Sequence, residues 1–253
     1  MRHRLGTLAI DVKFTLSQPW TVLFGPSGSG KSTILRAVAG LVRADSARIV
    51  STSRVDGSLR GPSAEFTLVD SGKNQFMPAH IRRIPLAPQA ACLFPHMTVF
   101  ENVAYSIPHP REDFRPEIDA TLCLFRIEHV ASKRPAELSG GEAQRVNLAR
   151  AAAAATENGL LLLDEPFTGL DVALRSELIQ DLRTWATKRG LCVLSVTHDI
   201  AEAFQLDAEV IKIADGKVTA QGPVEAVLAQ ERKQLLAQLG GPASQGRDVG
   251  HAV

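Results

Sequence analysis

The sequence predicts an α/β fold with a parallel sheet at its core, and three stretches carry that prediction. The first is Trp20-Thr21-Val22-Leu23-Phe24, an apolar run that reads as a buried strand. A glycine-rich turn follows it, then the helical run Ile34-Leu35-Arg36-Ala37-Val38-Ala39. The second is Leu160-Leu161-Leu162-Leu163, four leucines that suit a central parallel strand buried on both faces. The third is Val172 to Lys188, where Leu174, Leu178, Leu182 and Trp185 recur at helical spacing. Strands recur after it, at Leu191 to Val196 and Val210 to Ala214. Strands alternating with helices imply a parallel sheet.

The turn after the first strand is Gly25-Pro26-Ser27-Gly28-Ser29-Gly30-Lys31-Ser32-Thr33, which fits G-x-x-x-x-G-K-[ST]. The strand–loop–helix context is what this phosphate-wrapping loop requires. Glycines let the backbone turn tightly, so successive N–H groups point inward at the phosphates. The helix N-terminus adds partial positive charge. Lys31 would reach the β- and γ-phosphates, and the Ser32 hydroxyl would ligate Mg²⁺.

The leucine strand ends in Asp164-Glu165-Pro166. Acids at the carboxyl end of a parallel strand stand where α/β sheets bind ligands. Asp164 is expected to hold Mg²⁺ through water, and Glu165 to polarise the water that attacks the γ-phosphate. Between the two motifs lies Leu138-Ser139-Gly140-Gly141-Glu142-Ala143-Gln144-Arg145. Ser139 can cap a helix beginning near Glu142, which leaves two readings open: a second anion-binding helix start, or an ordinary capped helix.

Ser139-Gly140-Gly141 followed by Gln144-Arg145 resembles the signature of the ATP-binding cassette (ABC) ATPases. Other marks of that family occur in its order: Gln89 as a Q-loop glutamine, Gly169-Leu170-Asp171 as a D-loop, and His198 as a switch histidine. The resemblance covers roughly Leu5 to Leu228. It implies a P-loop NTPase fold of the ABC type, with a RecA-like parallel-sheet core, an N-terminal antiparallel β subdomain and a helical subdomain. It implies ATP and Mg²⁺ as cofactors, with Gln89 joining Ser32 and Asp164 around the metal. His198 would contact the γ-phosphate and help position Glu165 and water, while Gln89 would sense the metal and the attacking water and relay nucleotide state to a partner. Ser139, Gly140, Gly141 and Glu142 would serve the nucleotide of the opposite protomer in a head-to-tail homodimer. Asp171 would communicate across that interface.

Leu93-Phe94-Pro95-His96-Met97-Thr98-Val99-Phe100-Glu101-Asn102-Val103 resembles the importer segment that receives a coupling helix of a membrane permease. Together with Arg82-Arg83-Ile84 and the compact N-terminus, it is most similar to molybdate-type ATPases. Sulfate, ferric iron and polyamine importers use near-identical motors. The resemblance therefore implies a peripheral subunit on the cytoplasmic face of the membrane. Its partners would be an integral permease and, indirectly, a periplasmic or extracellular solute-binding protein. Soluble ABC ATPases of repair or translation are alternatives. Repair members insert a long coiled coil where only residues 89–138 stand here, and translation members usually carry two cassettes. P-loop kinases lack the Ser139-Gly140-Gly141 signature.

Composition agrees with a folded, soluble ATPase: 253 residues, 45% hydrophobic and 22% charged. A net charge of +1 points away from a nucleic-acid binder. Arg82-Arg83 and Lys133-Arg134 read as solvated surface. Cys92, Cys123 and Cys192 are dispersed, which fits reduced thiols in the cytosol. No apolar run spans a bilayer and no signal peptide is evident.

One ATPase domain is expected over residues 1–239, with a helical subdomain at about 90–155 and a disordered tail at 240–253. Leu8 to Asp11 and Lys13 to Leu16 read as short strands, with no clear strand before Leu5. Ser46 to Val69, with Gly57, Gly61 and Pro62, suits a small antiparallel sheet. Pro95 to Arg134 is helical in pattern, punctuated at Pro108, Pro110 and Pro116. Ala149 to Thr156 continues the signature helix, and Asp215-Gly216-Lys217 reads as a hairpin turn. Two departures from the family pattern stand out. Molybdate-type ATPases often carry a C-terminal oxyanion-binding domain, which is expected to be absent after Leu239. Many members stack an aromatic on adenine where this sequence offers Leu8, while Phe14 and Trp20 are expected in the core.

Overall fold

The computed structural model describes residues 1–54, 63–107 and 114–239. The chain opens with β1 (Arg2–Leu5) and β2 (Leu8–Asp11), then β3 (Trp20–Phe24), the phosphate loop and α1 (Lys31–Ala39). An antiparallel excursion follows: β4 (Arg48–Arg54), β5 (Ser63–Asp70) and β6 (Gln75–Phe76). A short α2 (Ala79–Arg82) and β7 (Leu86–Ala87) return to the main sheet. The helical part holds α3 (Val99–Ala104), α4 (Arg115–Leu124) and α5 (Gly140–Ala153). Then come β8 (Leu160–Asp164), α6 (Val172–Lys188), β9 (Cys192–Thr197) and α7 (Ile200–Leu206). The chain closes with β10 (Glu209–Ala214), β11 (Lys217–Pro223), α8 (Val224–Val227) and α9 (Ala229–Leu239).

The main sheet has the order β1-β2-β11-β10-β3-β9-β8-β7. From β10 to β7 every neighbouring pair is parallel. The predicted α/β core is therefore present, with an antiparallel margin and a separate three-stranded sheet. Its strands are buried on both faces. Val22, Leu161, Leu163, Val193 and Val210 face the layer containing α5, α6 and α7. Leu23, Leu162, Leu194 and Ile211 face Ile34 and Leu35 of α1. Burying each such leucine stabilises the fold by roughly 1.5–3 kcal/mol. The stripe Leu178 and Leu182 of α6 is core, with Leu174 and Trp185 at its edge.

Several expectations need correction. Arg2–Leu5 is a strand, although no strand was legible there. It is held by backbone pairing to β2 and by Arg2 N donating to Ser46 O at 2.6 Å, so polar side chains hid it. Lys13 to Leu16 is not a strand. Its alternation is real, since Phe14 and Leu16 pack inward. However, β11 pairs with β2 only at Lys217 and Asp11, and the Gln221 side-chain amide takes Thr15 O instead of a ladder bond.

The signature helix begins at Gly140 and ends at Ala153, short of Thr156. Arg82 is buried, not solvated. Its guanidinium donates to Ala37 O, Val38 O and Met77 O, closing the C-terminus of α1. Arg83, Lys133 and Arg134 do reach solvent. Trp20 is buried, its indole N–H donating to Ser195 Oγ. Asp215 and Gly216 take positive φ in the β10–β11 turn, as a tight hairpin requires. Gly57, Gly61, Pro62, Pro108, Pro110 and the 240–253 tail lie outside the described residues.

Candidate active site

The loop between β3 and α1 is shaped by two glycines. A Cβ on Gly25 would stand 2.1 Å from Ile213 O, so no side chain fits there. Gly30 caps α1 at φ 96°, a left-handed conformation that other residues adopt at a cost. Neither an N-cap side chain nor an acid in the first turn competes for the helix's free amides. The result is a cradle whose first-turn helix amides lack a side-chain cap, at the positive end of α1.

Lys31 is 5% exposed and folds its ammonium back over the loop, donating to Gly25 O at 2.8 Å and Pro26 O at 2.7 Å. Burial lowers its pKa, while the charges of Glu165 and Asp164 oppose that shift. Ser29 Oγ is buried with no hydrogen-bond partner. An orphaned hydroxyl beside a buried ammonium and free amides fits a phosphate chain.

Across the loop, Ser32 Oγ donates to Asp164 Oδ1 at 2.9 Å. Asp164 ends β8 and is 2% exposed. Burial raises its pKa, whereas the Ser32 hydroxyl and Arg36 hold it down. A hydroxyl and a desolvated carboxylate in contact form a hard oxygen pair, the donor set that suits Mg²⁺.

Glu165 is the next residue and turns away at φ 48°. Its Oε2 accepts from the Gln89 side-chain amide at 3.0 Å and from Thr168 Oγ1 at 3.4 Å. Its Oε1 lies 3.2 Å from His198 Nδ1, a contact that holds when the ring proton is on Nδ1. Three residues the sequence singled out, 89, 165 and 198, thus meet at one carboxylate. They come from the ends of β7, β8 and β9, which pack side by side.

Ser139 stands apart from this group. It caps α5 in a reciprocal box: Ser139 Oγ accepts from Glu142 N, while Glu142 Oε2 accepts from Ser139 N and Oγ. Those bonds, with His129 beside the carboxylate, bring Glu142 down to about 2. Among the described residues no hydrogen bond joins Ser139 to the phosphate loop. Gly141 instead abuts Leu170, within 3.4 Å of where a Cβ would stand. Asp171 caps α6 by accepting from Leu174 N at 2.9 Å.

Gln144, otherwise only a mark of the signature, and Asn147 hold the site together from α5. The Gln144 amide donates to Pro166 O and the Asn147 amide to Pro88 O, so α5 pins both the β8 end and the Gln89 loop. The Asn102 side chain likewise binds Phe94, Met97 and Thr98, fixing residues 94–98 onto α3. Beside them a shallow cavity of about 460 Å³ is lined by His96, Met97, Glu101, Ala104 and Tyr105.

The sheet order and the loop define a P-loop nucleotide-binding protein. Residues 10–168 match the ABC transporter family, and the chain belongs to it. It is 40% identical over 235 residues to a molybdenum import ATP-binding protein, ModC, of Mesorhizobium japonicum, covering 92% of this chain. It is 34% identical to the spermidine/putrescine import ATP-binding protein PotA of Haemophilus influenzae, covering 86% of this chain. The chain spans 59% of the length of the first relative and 54% of the second. Among solved structures it resembles the cassette MJ0796, a dimer in a post-hydrolysis state bound to ADP and Pi. That match has TM-score 0.68 and 26% identity, over 88% of this chain and 95% of the other.

Proposed function

We propose that this chain is the ATP-hydrolysing subunit of an ABC importer for an inorganic oxyanion, molybdate foremost. The observation that carries the hydrolytic reading is the convergence of Gln89 and His198 on Glu165, one residue beyond the Ser32–Asp164 pair. The loop amides of residues 25–33 and Lys31 hold the phosphates. Ser32 and Asp164, with Gln89 beside them, would hold Mg²⁺, which neutralises phosphate charge and orients the terminal group when bound. Glu165 takes a proton from the attacking water as general base. Gln89 and His198 keep its two oxygens in place. Ser139, Gly140, Gly141 and Glu142 complete the site of a second copy of this chain, in keeping with the absence, among the described residues, of any hydrogen bond from Ser139 to the phosphate loop. The dimeric state of the MJ0796 cassette supports that reading.

Residues 94–105 form the docking face for a permease helix. The exposed Tyr105, packed edge-on to Phe94 at 4.8 Å, and the cavity beside it supply an apolar seat. Arg150 of α5 lies over the Phe94 ring, which links that face to the signature helix. No helix among the described residues is long and apolar enough to cross a membrane; on this reading the permease supplies the solute path. The subunit then sits at the cytoplasmic face of the membrane, served indirectly by a solute-binding protein. The domain runs to residue 239, with residues 90–155 as its helical part.

The 40% identity to a molybdenum import protein favours molybdate, and the 34% identity to a polyamine import protein keeps spermidine as the second reading. Phosphate release by the purified chain, with and without Mg²⁺, tests the ATPase. Competitive uptake of molybdate, sulfate and spermidine by cells carrying the chain with its permease tests the solute. A folded chain that releases no phosphate overturns the ATPase reading, and preferred spermidine uptake overturns the molybdate reading.

A further inference from the structure

Behind the turn that carries His198 lies an acid with no part in the mechanism above. Glu202 sits in the first turn of α7, four residues after His198, and is 4% exposed. Its Oε1 is buried without a hydrogen-bond partner. Thr197 from β9, Asp199 from the turn, Arg175 from α6 and Glu165 from the end of β8 surround it. The strand β3 brings no ionisable side chain to α7, and α8 brings only the exposed Glu225.

These neighbours fix the residues on either side of His198. Asp199 Oδ1 accepts from Ala201 N at 2.8 Å and Glu202 N at 3.2 Å. Asp199 Oδ2 accepts from Arg175 Nη1 at 2.6 Å, and Asp199 N donates to Thr197 Oγ1 at 3.0 Å. A single guanidinium therefore serves Asp199 in a pocket that also contains Glu202. A second negative charge there would compete for Arg175 and repel Asp199 and Glu165.

We propose that Glu202 is a positioning residue: its buried carboxyl, wedged against the turn from Thr197 to Asp199, sets His198 against Glu165. Burial pushes the carboxyl up to about 8, with Asp199 and Glu165 adding to the rise and Thr197 and Arg175 opposing it. The folded state thus holds this proton more tightly than the unfolded chain, where a glutamate titrates near 4.3. Stability from this group is whole below that value and is lost as pH rises through about 8. Above that pH the charged acid drags on the turn, and hydrolysis declines with it.

The inference rests on reading the site as an ATPase, and wild-type phosphate release at pH 7 tests that reading by itself. Glu202→Gln keeps the shape and has no proton to lose. Two profiles are measured from pH 5 to pH 9.5 for wild type and variant: phosphate release, and the thermal unfolding midpoint without nucleotide. The variant is expected to match wild type at pH 7 and to lack the wild-type decline above pH 8. The wild-type midpoint is expected to fall relative to the variant between pH 5 and pH 8. Glu202→Asp, which withdraws the acid from the turn, should lower turnover at pH 7 while keeping an alkaline decline. Coincident pH profiles for wild type and Glu202→Gln overturn the proposal, as does a Glu202→Gln chain that fails to fold at pH 7. If wild type releases no phosphate, the ATPase reading fails, while the unfolding profiles still report whether Glu202 is uncharged.

Discussion

Arg82→Ala should loosen the helix of the phosphate loop from its far end. The guanidinium donates to Met77 O at 2.8 Å, Ala37 O at 2.9 Å and Val38 O at 2.7 Å, and lies 5.0 Å over the Phe76 ring. Ala37 O keeps a second partner, Gly40 N, so two carbonyls are stripped by the change. Hydrogen bonds from a charged donor contribute roughly 1.5–3 kcal/mol each. Desolvation of the guanidinium, which also lowers its pKa, offsets part of that gain. A net loss of about 3 kcal/mol is expected. In a domain of this size that lowers the midpoint by roughly 6–12 °C. Thermal and urea unfolding of the purified variant measure it. Arg82→Lys should recover only part, because an ammonium cannot fork between carbonyls as a guanidinium does. A loss below about 0.5 kcal/mol would refute the cap, since that is the scale of a surface change.

Other outcomes follow from the same geometry. Glu165→Gln should bind ATP but lose ~10²–10⁴ in turnover and accumulate an ATP-bound dimer; near-normal steady-state hydrolysis would sink the general-base assignment. Ser139→Arg should block hydrolysis while leaving nucleotide binding to the same chain, and mixing it with Lys31→Ala should restore measurable activity. Wild-type turnover by Ser139→Arg alone removes the case for composite sites. Removing the Ser139 cap costs ~1 kcal/mol, so unfolding curves must accompany that assay. Leu8, whose side chain packs near Gly30, offers no aromatic face, and Leu8→Tyr should raise affinity for ATP and GTP alike. Stacking worth ~1–3 kcal/mol sets the size of the gain, about tenfold per 1.4 kcal/mol. A strong native preference for ATP, unchanged in Leu8→Tyr, would place base recognition elsewhere.

The parallel core was legible because its strands announce themselves twice. They are continuous apolar runs, and three of them lead into a motif residue: Gly25, Asp164 and His198. The phosphate loop was legible because its spacing is fixed by the backbone, not by packing. Arg2–Leu5 was not legible because a strand held only by backbone pairing has no side-chain pattern to read. Arg82 was misread for a related reason. A basic pair looks solvated unless the carbonyls of a distant helix end are known to lie beneath it. Gln144 and Asn147 carry no message until the strand ends they tether are in place, and Glu202 is an ordinary helix acid until the sheet buries it.

Two adjacent carboxylates, Asp164 and Glu165, cannot do the same work in this site, and the backbone explains how they are separated. Asp164 is the last residue of β8 and keeps its carboxylate on the loop side, against Ser32. Were Glu165 to continue the strand, it would point to the opposite face of the sheet. Its φ of 48° breaks the strand instead, a conformation few non-glycine residues adopt. Glu165 N still donates to Val196 O at 3.0 Å, so the turn is tied to β9 as it departs. The carboxylate is thereby carried over the ends of β7 and β9, into reach of Gln89 and His198. Local backbone strain of about 1–3 kcal/mol is the expected cost of such a placement. The buried Phe167 and the Gln144 bond to Pro166 O hold the strained turn from below. On the proposed reading Asp164 would then be free to hold the metal and Glu165 to activate water, the division of labour that phosphoryl transfer to water requires.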